Sequence, residues 1–249
     1  MRSMRLAVAS VLFLGTLSLF IIIFGSKLNA SAPDMHHPTD QESHHPTVQG
    51  GALLKDRSED PDIAYSLFMH HSSGIALLAL GLLILLGRLS LLPSELTTIL
   101  IGCTWVAFGM FVFIKSDPEG WPIGPAGFLQ SFSMPTTGEW IQHKLLSLIP
   151  MLLGVYSISV RRVPSSMNVA YWAAGAALLG GIGLMIHQHL GHPDFDLVNL
   201  QHRIFALTAF FIAGGLLLER RVVVAWRSKP FFVPLGIMIL GLQLTLYVE

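Results

Sequence analysis

Apolar residues run along this chain in blocks rather than in alternation. Near 6–26, 63–87, 96–114, 140–160, 167–187, 202–218 and 230–248 they continue for close to the ~20 positions that cross roughly 30 Å of bilayer hydrocarbon. Blocks of that length leave backbone amides and carbonyls no water to bond, so each is expected as an α-helix. The fold class predicted is all-α: a polytopic transmembrane bundle of about seven helices. The first block follows Met1-Arg2-Ser3-Met4-Arg5 and precedes Ala30-Ser31-Ala32. Its length reads as an uncleaved anchor, whereas cleavage after those small residues would leave six spans. Three regions result: 1–26 as anchor or signal peptide, 27–62 as a polar segment expected to be mobile, and 63–249 as the bundle.

Charge orients the bundle. Arg2, Arg5, Arg88, Arg161, Arg162, Arg220, Arg221, Arg227 and Lys229 fall in loops on one side, nine of the 15 basic residues. Thirteen of the 15 acidic residues fall on the other, leaving Glu95 and Glu219 with the basic set. Short loops rich in Lys and Arg stay cytoplasmic. The expectation is a bacterial inner-membrane protein with its amino terminus cytoplasmic and its carboxyl terminus periplasmic. All 11 histidines then belong to the periplasmic side, an asymmetry that a bland scaffold has no reason to carry.

Three of those histidines repeat a layout. His70 precedes Arg88, His143 precedes Arg161 and His202 precedes Arg220, each by 18 positions. At 1.5 Å per residue that is about 27 Å, so three helices running the same way would hold their imidazoles at one depth. Of the neighbours His70 and His71, His70 keeps the shared spacing. The fifth span ends in His187-Gln188-His189-Leu190-Gly191-His192-Pro193, where His187 is expected to be still helical and His189 and His192 to belong to the loop. Ionisable side chains at membrane depth usually face a bundle interior and mark a site. The candidate metal ligands are His70, His71, His143, His187, His189 and His202. Imidazole suits Cu, Zn, Fe and Ni, and thioether from Met69, Met134 or Met185 would bias a site towards Cu(I).

The outer loops add donors. Met35-His36-His37-Pro38-Thr39 is echoed by His44-His45-Pro46-Thr47, and His36, His37, His44 and His45 are candidate collecting residues for a metal ion. The loop from Asp117 to Phe128 is dense in Pro and Gly and is expected to lie over the outer helix ends. Trp121, Phe128 and Trp140 suit an interfacial aromatic belt. Asp117 and Glu119 are either solvated loop carboxylates or hydrogen-bond partners of imidazole N–H groups.

Composition narrows the chemistry. With 52% hydrophobic and 12% charged residues and no net charge, the partner is a lipid bilayer and not nucleic acid. The single cysteine, Cys103, excludes an internal disulfide, a CxxC site and an iron–sulfur cluster. No HExxH, GxSxG or phosphate-binding loop is present, so hydrolytic chemistry is not indicated.

In their order, several features resemble the membrane-embedded copper-resistance protein D-like (CopD-like) family of bacteria. They are His70-His71 opening a glycine-containing helix, the Asp117–Phe128 loop followed by Gln142-His143, His187-Gln188-His189 closing a span, and His202 opening a helix that ends Leu218-Glu219-Arg220-Arg221. The resemblance implies copper binding or copper homeostasis, with movement of copper between periplasm and cytoplasm as one form, and a periplasmic copper or electron-transfer protein as partner. Two other readings stay open. One is a b-type haem cytochrome, in which His70, His143, His187 or His202 ligate iron and Gly74, Gly81, Gly154, Gly180, Gly181 and Gly183 make room for the macrocycle. The other is an accessory subunit of a larger membrane complex.

Overall fold

The computed structural model describes residues 61–159, 167–186, 195–222 and 231–249. They fold into six α-helices: α1 (Pro61–Arg88), α2 (Ser94–Lys115), α3 (Thr137–Ser159), α4 (Met167–Ile186), α5 (Phe195–Val222) and α6 (Phe232–Thr245), with a 3₁₀ turn at Gln130–Ser133. α1 to α5 are long and apolar enough to cross a membrane, the architecture of a multi-pass membrane protein. α6 has 14 residues, short of the ~20 expected of a perpendicular crossing, because the chain leaves the helix at Leu246 and turns Tyr247 inward. The anticipated first span and the His-rich segment up to residue 60 lie outside the described residues.

Residues 66–249 form one compact unit. Two antiparallel helix pairs are built on glycine. A Cβ on Gly154 of α3 would lie 2.5 Å from the Gly102 carbonyl of α2, and one on Gly109 would lie 2.7 Å from the Ser147 carbonyl. Gly74 and Gly81 likewise let α1 approach Gly241 and Pro234 of α6. Small residues of this kind allow helix backbones to pack closely where lipid gives no hydrophobic drive for association. Replacing Gly154 with Ala is therefore expected to destabilise the bundle by about 1–3 kcal/mol. Gly175→Ala, where an added Cβ meets nothing within 4 Å, should be neutral or stabilising. Thermal midpoints of the two variants in detergent check the contrast, and equal midpoints would sink it.

α1 and α5 run in the same direction and meet at both ends. At one end the His70 and His202 rings are 5.6 Å apart. At the other, Arg88 donates from both terminal nitrogens to the two carboxylate oxygens of Glu219, at 2.7 Å each. Between them lies an apolar layer of Leu77, Leu80, Ile212, Val233 and Ile237, against which Trp105 and Phe108 of α2 pack. Arg88 is thus engaged in an interhelical ion pair as well as marking a helix end.

Of the helix limits, that of α5 departs furthest from the apolar pattern. It starts at Phe195, seven residues before the expected 202, because Asp196 in the first turn suits the positive end of the helix dipole and keeps a polar turn helical. His202 consequently lies two turns inside a helix and does not open it.

Candidate functional site

The histidine end of the bundle contains two clusters. The first is made by α1, α5 and the tail after α6. His70 donates Nδ1–H to the carbonyl of Ser66 at 2.9 Å, and His202 donates Nδ1–H to the carbonyl of Val198 at 2.8 Å. Each is an i−4 bond along its own helix, and a carbonyl can only accept, so the proton sits on Nδ1 and Nε2 carries the lone pair. The two rings stand nearly perpendicular, at 82°. Tyr247 stacks on His70 with centroids 3.8 Å apart and planes 19° apart, and its ring meets that of His202 edge-on at 6.0 Å.

The tail that carries Tyr247 is pinned from both sides. His71 donates Nε2–H to the Tyr247 carbonyl at 3.0 Å. The Gln201 side-chain amide pairs with both backbone groups of Val248, donating to its carbonyl at 2.7 Å and accepting from its N–H at 3.1 Å. The Tyr247 hydroxyl donates to Glu249 at 3.0 Å. His70 and His71 therefore divide the work: one faces His202 and the other fastens the tail.

The second cluster joins α2 to α3. Asp117, just past the end of α2, accepts Nδ1–H of His143 at 2.9 Å on one carboxylate oxygen and the Lys144 ammonium at 2.9 Å on the other. Lys144 is buried and also donates to the Phe113 carbonyl at 2.7 Å and to the Ser116 hydroxyl at 3.3 Å. It sits at the negative end of the α2 dipole. Of the two readings of Asp117, the hydrogen-bond partner of an imidazole is the one observed, while Glu119 is exposed. Burial by itself would raise the Asp117 pKa, but the hydrogen bond and charge of His143, together with the hydrogen bonds of Lys144 and Ser116, outweigh it and hold the carboxyl well below the usual carboxylate range.

That depression has a pH consequence. The unfolded state binds a proton on Asp117 near pH 4 and the folded state does so only at more acid pH, so the carboxylate's contribution to stability is complete above pH ~4. It is expected to be lost as pH falls through the depressed folded value. Asp117→Asn should abolish that acid-side slope, which unfolding midpoints at pH 3 and pH 6 would measure. An unchanged slope in the variant would mean that other carboxylates carry it.

All three helix-borne histidines of the repeat thus have Nδ1 bonded to an oxygen, two by carbonyls and one by a carboxylate. Their grouping differs from their spacing. His70 and His202 form one pair, while His143 is held by Asp117. Among the described residues, no three His, Cys, Asp or Glu side chains converge closely enough to hold one metal ion. His187, His189 and His192 lie outside the described residues, as do His36, His37, His44 and His45.

Three further expectations meet their structural counterparts here. Trp140 is 3% exposed and donates its indole N–H to the Trp121 carbonyl, so it bolts the loop to α3 and does not join an interfacial belt. Phe128 is half exposed. Gly74, Gly81, Gly154, Gly181 and Gly183 each face a neighbouring helix within 2.6 Å of where a Cβ would sit and let helices pack closely, whereas a Cβ on Gly180 would meet nothing within 4 Å. Sequence reasoning missed Tyr247, Gln201 and Lys144 as site residues. The repeated triplets Gln142-His143-Lys144 and Gln201-His202-Arg203 carried a signal for two of them, whereas nothing local marked Tyr247.

No family model, curated protein or solved structure matches this chain, and its function is to be read from the side chains at this end of the bundle.

Proposed function

We propose that the protein binds copper at the histidine end of its bundle, with Nε2 of His70 and His202 as the resident ligands and a role in copper handling at the periplasmic side of the bacterial inner membrane. The observation that carries this reading is the shared fixing of Nδ1. Metal-ligating imidazoles almost always donate their other N–H to a carbonyl or carboxylate, which sets the tautomer and aims the ring. The spacing of the pair fits as well. Two imidazoles sharing one ion at about 2 Å per nitrogen place their ring centroids roughly 5–6 Å apart, and the observed separation is 5.6 Å.

Imidazole suits Cu, Zn, Fe and Ni, and copper is chosen among them on the resemblance to CopD-like proteins. Binding is better supported than passage. Beneath the pair lie the apolar layer around Leu80 and Ile237 and then the Arg88–Glu219 ion pair, and none of those side chains is a ligand for a soft or borderline ion. Asp117, by fixing His143, would orient a further imidazole for an ion approaching the pair.

Metal analysis and an oxidised and dithionite-reduced spectrum of the detergent-purified chain test the proposal. About one copper per chain, with no haem α band, is the expected result. A sharp b-type α band would replace copper handling with electron transfer, and neither signal would favour an accessory subunit without metal.

A further inference from the structure

The loop between α2 and α3 carries no Asp, Glu, Lys, Arg or His from Gly120 to Gly138, a long stretch for a segment that is not itself a span. Its folding is nevertheless tight. The Trp121 N–H donates to the Ser131 hydroxyl at 3.0 Å, and the Trp121 carbonyl accepts the Trp140 indole N–H at 3.0 Å. The Gly124 N–H donates to the Gly120 carbonyl at 2.8 Å, that of Ala126 to the Glu119 carbonyl at 3.2 Å, and that of Ser131 to the Gly127 carbonyl at 2.9 Å. Ser131 is fully enclosed. What the loop turns outward is carbon. Leu129, at 81%, is the most exposed large apolar side chain of the described residues, and Ile123, Phe128 and Phe132 are each close to half exposed.

These side chains belong to a loop folded down onto the helix ends. Trp121 meets Phe113, in the last turn of α2, edge-on at 5.8 Å, and Phe128 and Phe132 meet Trp140, in the first turn of α3, at 6.2 and 5.0 Å. Both helices are long and apolar enough to cross a membrane, so their terminal turns, and the loop packed on them, lie at the depth where hydrocarbon gives way to headgroups. About one turn further in, Met110 of α2 and Leu145 of α3 are exposed as well, so exposed apolar side chains run along both helices up to the loop. We infer that Phe128, Leu129 and Phe132 insert into the boundary between headgroups and acyl chains in the leaflet at the histidine end, and that the partner of this loop is the lipid surface. Irregular backbone near hydrocarbon needs its polar groups bonded from within, and the bonds through Ser131 and Trp140 do this for Trp121. Exposed apolar patches mark either a membrane or a protein contact. The depth of the loop and its lack of the charged rim usual around a protein interface favour the membrane. The same loop carries Asp117, which holds His143, so the anchor also steadies one side of the histidine end.

The test reads depth on the full chain in phosphatidylcholine vesicles. In a Cys103→Ser background, which removes the exposed native thiol, a nitroxide is attached at Leu129→Cys and, as an aqueous reference, at Glu119→Cys. Both positions are exposed, so the labels leave the packing of the loop intact. Electron paramagnetic resonance measures collisions of each label with oxygen, which concentrates in lipid, and with a nickel chelate confined to water. The expected result is an oxygen-to-nickel collision ratio severalfold higher at position 129 than at position 119. Equal ratios, with free access of nickel to both, would overturn the inference by leaving the loop in water. Shielding of position 129 from both reagents would overturn it in favour of a protein cover, which in these vesicles is a second copy of the chain. None of these outcomes depends on whether the histidines hold copper, so failure of the anchor and failure of the metal-binding reading are told apart.

Discussion

Replacing His202 with Ala is expected to lower copper affinity by more than about 100-fold, and His70→Ala should do the same, because each removes one of two resident ligands whose geometry is already fixed by its Nδ1 bond. His143→Ala should cost only about tenfold, since His143 is held with Asp117 in the second cluster and is not part of the pair. The ranking, more than any single value, separates a pair from a triad of equivalent ligands. Equilibrium competition with a copper chelator measures all three variants, with helical content and thermal midpoint recorded alongside, because His202 is buried and its loss leaves a cavity. Equal losses at His70, His143 and His202 would show that the three imidazoles act as one site. Retention of full affinity in both His70→Ala and His202→Ala would end the copper proposal.

The second large effect is expected at the opposite end. Arg88 and Glu219 are 20% and 12% exposed and meet in a two-point ion pair, with the Val233 N–H at 3.4 Å from the same carboxylate. Removing one partner strands the other charge in a poorly solvated place, which typically costs about 3–5 kcal/mol. Arg88→Ala or Glu219→Ala should therefore lower the thermal midpoint strongly. The double variant Arg88→Leu with Glu219→Leu should recover most of the loss, because replacing a buried pair with apolar groups is often close to neutral. A single variant within about 1 kcal/mol of the wild type would mean the pair is solvated and that α1 and α5 are aligned by their apolar layer alone. The two predictions are coupled through register: the same two helices that bring Arg88 to Glu219 bring His70 to His202, so Glu219→Ala is expected to weaken copper binding as well.

The lengths of the apolar runs by themselves determined the helices. Of the seven crossings expected from hydropathy, five helices among the described residues are long and apolar enough to span, because lipid forces every backbone group of such a segment into intrahelical bonds. The repeat of His and Arg at 18 positions likewise fixed which residues share a depth, since rise per residue is a constant of the helix. Which of the neighbours His70 and His71 meets His202 was decided by the packing, which brings the His70 ring to 5.6 Å from it. Depth, however, is one coordinate of three. Which faces meet depends on how helices pack, and packing depends on where glycines let backbones approach, as at Gly102 with Gly154 and at Gly74 with Gly241. For that reason only the tertiary structure separated His143 from the pair, gave Asp117 its imidazole and showed which glycines lie at helix contacts. It also brought in Tyr247, 177 residues away from the His70 on which it stacks. No local pattern in the sequence encodes that contact, because a long-range contact is a property of the helix arrangement as a whole, whereas helix length and residue depth are properties of each segment alone.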